Sequence, residues 1–260
     1  NGNIAEIHTD ATVTDAVLDA ATTVTVTDTV LNFETGTNLA DMVADASFDN
    51  LVISDTLSNA DGAADATKAA ATNVIISDND LTVANAATVN AFTNIQFGVV
   101  DAYADFITNG AAASEAIGTM LSKAQTVTLS DASTTVAEYN VINGLTSGSI
   151  FNNAAITGTT LTIADTISNL AASDAATAAS AADTVTVSDT DGTAAEIATL
   201  SARGVTVTGL TAVDTAANLT AMDSALLASL TGVTVSDNGA VTQNVAALLN
   251  IYTADGSAYG

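Results

Sequence analysis

Cysteine, proline and tryptophan are absent from this 260-residue chain, and basic residues nearly so. Without cysteine there is no disulfide framework and no thiolate metal site. Without proline, the turns fall to Gly, Asn and Asp. Only three cations, Lys68, Lys123 and Arg203, stand against 29 acidic residues, a formal net charge of −26. Phosphate backbones are bound by clustered Lys and Arg, so nucleic acid is not an expected partner, and anionic membrane surfaces are disfavoured for the same reason. The single histidine, His8, is the one base a Ser–His–Asp triad could use. One His with no Cys also suits neither zinc nor iron. A GxxxxGK phosphate loop is missing. No run of 18 apolar residues occurs, which argues against membrane insertion. The N-terminus shows no basic segment leading into an apolar one. These absences point away from an enzyme and leave no catalytic and no cofactor-binding residue to nominate.

What the chain does have is small and apolar. Hydrophobic residues make up 48% and aromatics only 4%, so a core must be built from Val, Ile, Leu and Ala in thin layers. Of the acidic residues 24 are Asp and five are Glu. Asp favours turns and caps, which places the charge at loop positions. A net charge of this size also keeps a protein soluble by self-repulsion.

One phrase recurs: VTVTD at 24–28, VIISD at 74–78, VTLSD at 127–131, and VTVSD at 185–189 and 233–237. The starts lie 50, 53, 58 and 48 residues apart, the mark of a repeat architecture. Alternation turns Val185 and Val187 to one side and Thr184, Thr186 and Ser188 to the other, as in a strand with one buried face. Ile75 breaks the alternation. A second strand-like phrase falls midway, at 51–55, 94–98 and 205–209, with a blurred counterpart at 159–165.

Helices are expected between the phrases. Thr135 with Glu138 and Thr193 with Glu196 have capping-box spacing. Val245, Leu248, Leu249 and Tyr252 form one helical stripe, and 214–230, with Leu219, Met222, Leu226 and Leu230, reads as a longer helix. The Ala-rich stretches 61–71 and 171–182 read as helix by propensity. Strands alternating with helices need crossovers, so the strands should lie parallel. The expected fold is α/β: one repeat domain over 1–260, an elongated solenoid with a parallel sheet, in units of about 50 residues starting near 24, 74, 127, 185 and 233. The first unit begins mid-pattern and the last is incomplete, as in a processed chain or a piece of a longer array.

The VTVSD phrases, the GTAAE segment at 192–196 and DTAANLTAM at 214–222 resemble the Ala-, Thr- and Asp-rich repeat regions of bacterial, cyanobacterial-type, surface-layer, giant adhesin and extracellular filament proteins. The resemblance is one of composition and rhythm over most of the chain. It implies a secreted or cell-surface structural protein whose main partner is itself, with cell-surface or matrix contacts.

Calcium is the one ligand with a physical case. It takes six to eight oxygens, often from several Asp. The turns after the recurrent phrase supply Asp78 with Asp80, Asp189 with Asp191 beside Gly192, and Asp237 beside Asn238 and Gly239. The competing reading makes these residues Asx-turns and caps of the following helix. A calcium-responsive binding module is therefore the alternative to a self-associating structural protein. Third come ice binding, suggested by the Thr rows 23–27 and 206–208, and a carbohydrate-active β-solenoid, for which Tyr103, Phe106 and Phe151 are too scattered to make a platform.

Overall fold

The computed structural model describes residues 52–237, apart from 64, 79–80 and 153–159. The phrase at 24–28, the stripe at 245–252, His8 and Asp80 lie outside the described residues. The chain divides into two compact units. One holds the described residues up to Ser130 with Ile142–Phe151; the other holds Asp131–Val141 and residues from Asn152 onward.

In the first unit, β1 (Val52–Asp55), β2 (Asn73–Ile76) and β3 (Ile95–Gln96) form a parallel sheet, with Ile53 opposite Val74 and Val74 opposite Ile95. A second sheet has the order β4 (Gly98–Asp101), β7 (Thr126–Leu129), β8 (Ser149–Asn152), with Val99 opposite Val127. In the second unit, β9 (Thr162–Asp165) pairs in parallel with β10 (Thr184–Val187). There, β12 (Thr211–Asp214) lies between β11 (Asp191–Gly192) and β13 (Gly232–Val235), again parallel. A hairpin of β5 (Ile107–Thr108) and β6 (Ala111–Ala112) is antiparallel. Asn109 and Gly110, both at positive φ, form its turn, as two-residue hairpin loops require.

The recurrent phrases at 74, 127, 185 and 233 are thus strands, and the mixed α/β class with parallel pairing is as expected. They do not share one sheet: the described strands fall into several short ones. The midway phrase at 205–209 is not a strand; the ladder is taken up later, by Thr211–Asp214. In β2 and β7 the alternation holds, with Val74, Ile76, Val127 and Leu129 all buried. In β10 it is weaker. Thr186 is exposed as expected, but Val185 and Val187, expected inside, are only half-buried.

Helices fill the crossovers in a fixed rhythm. Two short ones follow β1, α1 (Leu57–Gly62) and α2 (Asp65–Ala70), and one 3-10 turn (Val83–Asn85) running into α3 (Ala86–Asn90) follows β2. After β4 come α4 (Tyr103–Phe106) and, beyond the hairpin, α5 (Glu115–Lys123); after β7 comes α6 (Val136–Leu145). The second unit repeats this with α7 (Ile167–Ala171) and α8 (Ala175–Ala181), then α9 (Ala194–Ala202), then α10 (Ala216–Thr220) and α11 (Ser224–Ala228). Most bury a narrow stripe at i, i+3 spacing, such as Ile167 with Leu170 or Ala194, Ile197 and Leu200. Both expected capping boxes form, Thr135 with Glu138 and Thr193 with Glu196. The single helix expected over 214–230 is two. Asp223 accepts from the N–H groups of Ala225 and Leu226 and so starts α11 afresh.

Candidate functional site

The acidic residues that end the strands are the most regular polar feature of the molecule. Asp55, Asp101, Asp165 and Asp214 each accept from the N–H of the next residue, at 2.7–3.1 Å. In three of them the amide four residues on, from Asn59, Asn169 or Asn218, donates to the same oxygen at 2.7–2.8 Å. The intervening Thr56, Thr166 and Thr215 are N-caps that accept from the N–H three residues later. Asp-Thr-x-x-Asn is therefore a helix-start motif in which the Thr N–H and the Asn amide close on the strand's last residue while the Thr hydroxyl caps the helix.

The second carboxylate oxygen, or that of the Asp after the recurrent phrase, reaches across to the neighbouring strand's helix. Leu57 N–H donates to Asp78, Val83 to Asp101, Val136 to Asp165, Ile167 to Asp189, Ala194 to Asp214 and Ala216 to Asp237, at 2.5–3.2 Å. The donors and acceptors are 18–29 residues apart in sequence. For Leu57, Ile167, Ala194 and Ala216 the acceptor ends or follows the strand paired with the one that leads into the capped helix. The first N–H groups of a helix lack internal partners and carry partial positive charge, so a carboxylate there is favourable twice over.

The three cations occupy the opposite ends. Lys68 donates to the carbonyl of Asp61 near the end of α1, at 2.7 Å. Lys123 donates to Asn90 and Phe92 at the end of α3, at 3.2 and 2.8 Å. Arg203 donates to Leu170 and Ala172 at the end of α7. Helix carbonyl ends favour positive charge. All three basic residues of the sequence are thus committed to backbone carbonyls, which leaves the surface charge almost wholly negative.

Electrostatics follow from these bonds. Burial pushes the Asp214 carboxyl upward, but donors from Asn218, Thr215 and Ala194 outweigh it and hold the group below its ordinary value. Glu196 is also held low, by the Thr193 N–H and hydroxyl, against burial and the nearby Asp214 charge.

Of the residues nominated for calcium, Asp78, Asp189 and Asp237 are the inter-strand caps just described. They cap a helix as the competing reading expects, but that of the neighbouring strand rather than the one that follows. Asp191 is exposed on β11 and accepts from the Thr190 hydroxyl at 3.2 Å. Its neighbour Gly192 has a packing role: a Cβ there would stand 2.6 Å from Ile167. Among the described residues no three His, Asp or Glu side chains gather as metal ligands would. An open groove of about 450 Å³ is lined by Asp78, Leu57, Leu81, Asp61, Asn85 and Thr88. The sequence reading passed over Asp55, Asp101, Asp165 and Asp214, although the Asp-Thr-x-x-Asn spacing at 55, 165 and 214 was there to be seen.

Neither family models, nor curated protein sequences, nor solved structures give a match to this chain.

Proposed function

We propose that this protein is a non-catalytic extracellular structural protein. Its strand–helix segments stack as an open-ended solenoid, and copies associate into a filament, a surface layer or an adhesin stalk. The observation that carries this reading is the capping across strands: six helix or 3-10 starts are each completed by a carboxylate 18–29 residues away in sequence. Such a segment is not self-sufficient, and it hands the same need on to the next, as in a one-dimensional repeat protein. A net charge of −26 with every cation bound to backbone suits a surface that faces water and dissolved cations. The resemblance to bacterial surface-layer and adhesin repeats points the same way.

A calcium-responsive module is the second reading, favoured by the groove that brings Asp61 and Asp78 together with Asn85. Electron microscopy and sedimentation of the purified protein, with calcium and with a chelator, test both. Filaments or sheets that survive chelation are the expected result. Assemblies that dissolve on chelation, and on Asp78→Asn, would favour the second reading. A monomer at high concentration with calcium present would overturn self-association.

A further inference from the structure

Among the described residues, strand β10 has a partner on one edge only. Thr184 and Ser188 donate their N–H groups to Leu161 and Asp165 on the β9 side, at 3.1 and 2.9 Å. In a parallel ladder alternate residues bond to alternate sides, so the N–H and C=O groups of Val185 and Val187 face the other edge. No other described strand pairs there. In the first unit the equivalent position is occupied: Val74 of β2 donates to Asn94, and Val74 and Ile75 pair with Ile95 and Gln96.

The chain holds a segment of the right sequence at the right distance. The ladder pairs Val52–Asn73, Val74–Ile95, Thr162–Thr184 and Thr211–Gly232 are 21 or 22 residues apart. Counting that far from Val185 and Thr186 lands on 206–208, within Val205-Thr206-Val207-Thr208. This segment alternates as a strand does, with Val205 and Val207 each 8% exposed and Thr206 and Thr208 exposed. It is tied at both ends. Arg203 anchors it to the end of α7, and Thr211 donates to Thr190 where β12 begins. Gly204 and Gly209, at φ of 77° and 96°, flank it. Both adopt a left-handed backbone that side chains resist, which makes them suitable hinges. The Val205 N–H donates back to Leu200 and Leu210 donates to Val207, so neither of these bonds reaches β10.

We propose that residues 205–208 are a strap that extends onto the open edge of β10 as a further parallel strand, so that this part of the second unit alternates between an open and a closed ladder. Closing satisfies the Val185 and Val187 backbone groups and covers their half-exposed side chains. The hinges at 204 and 209 take up the change while Arg203 and β12 hold the ends.

The absence of native cysteine allows a direct test by cross-linking. Thr186→Cys with Thr208→Cys, or Thr184→Cys with Thr206→Cys, each 22 residues apart like Thr162 and Thr184, places two thiols within disulfide reach in the closed ladder. Ala164→Cys with Thr186→Cys, register partners across β9 and β10, is the positive control. The expected result is an intramolecular disulfide in one of the strap pairs under native conditions. Amide exchange at Val185 and Val187 should be fast before cross-linking and slow after it. Failure of both strap pairs while the control closes would overturn the proposal. So would disulfide dimers from Thr186→Cys alone, which would assign the edge to a second copy. Slow exchange at Val185 and Val187 without any cross-link would overturn the two-state strap as well.

Discussion

β7 and β10 carry almost the same phrase, VTLSD and VTVSD, yet they are buried to very different degrees. Val127 and Leu129 are fully shielded from water, while Val185 and Val187 are half-exposed. β7 lies between β4 and β8, and the helices on either side of it in sequence bury large residues: Met120 and Leu121 from α5, Tyr139 and Ile142 from α6. Among the described residues β10 has one partner, and the helix leading into it, α8, buries only Ala175 and Ala178. A strand phrase of this kind fixes which side chains face inward. How far inward they lie depends on the neighbours.

The largest effect should come from placing a charge at the two equivalent sites. Leu129→Asp puts a carboxylate in a dry layer with no partner, so cooperative urea unfolding should be lost or weakened by about 4 kcal/mol or more. Val187→Asp leaves the new charge in reach of water and should cost about 1 kcal/mol. Equal destabilisation of the two variants would break the comparison and mean that β10 is covered in solution.

A smaller difference is expected along the capping carboxylates. Asp165 is 7% exposed and takes N–H groups from Val136, Thr166 and the Asn169 amide. Asp165→Ala leaves these donors unmet and should cost about 2–3 kcal/mol. Asp189 is half-buried and takes the Ile167 N–H, so Asp189→Ala should cost about 1 kcal/mol. Denaturant midpoints for the pair would sharpen the contrast between a carboxylate sealed into the ladder and one at its margin.

Much of this was legible in the sequence, and the misses have definite causes. The recurrent phrases gave strands because Val and Ile alternate with Thr and Ser over enough residues to fix a face. The boxes at Thr135 and Thr193 were readable because every bond in them is local. Inter-strand capping was not readable, because which helix Asp78 or Asp189 serves is decided by ladder register rather than by its neighbours in sequence. The stripe through Leu219, Met222, Leu226 and Leu230 hid a break. Of these Leu219 and Leu230 are buried, and Leu227, outside the stripe, takes the inward place of Leu226, because Asp223 restarts the helix between them. Val205-Thr206-Val207-Thr208 carries a strand's pattern but lies between two left-handed glycines, whose backbone state the pattern does not encode.

Acid separates bound from unbound carboxylates. Asp214 and Glu196 are both held below their ordinary values in the fold. A lowered folded pKa supplies stability above the unfolded value, near 4, and that stability is lost as pH falls through the folded value. Relief of repulsion among 29 acidic residues acts the other way, so the difference between variants is the clean measure. Wild type should exceed Asp214→Asn in stability at pH 7, and the gap should close as pH falls below about 4 and through the lowered folded value. A gap that stays constant to pH 2 would mean that Asp214 acts by shape and not by charge.

The smallest expected effect concerns the cations, and it tests whether helix carbonyl ends matter as much as helix N–H ends. Lys123 and Arg203 each meet two carbonyls at the end of a helix that lies 31–33 residues earlier. Lys123→Met keeps the aliphatic stem and removes the charge, so packing is largely preserved and the loss should be about 0.5–1 kcal/mol. Arg203→Met should cost slightly more, because the planar guanidinium holds two carbonyls at once in a geometry that no rotating ammonium keeps. Arg203 also anchors the strap. Arg203→Met should therefore speed amide exchange at Val205 and Val207 beyond what its stability loss explains, whereas Lys123→Met should leave them unchanged. Equal exchange in the two variants would reduce Arg203 to an ordinary cap and leave the strap held from β12 alone.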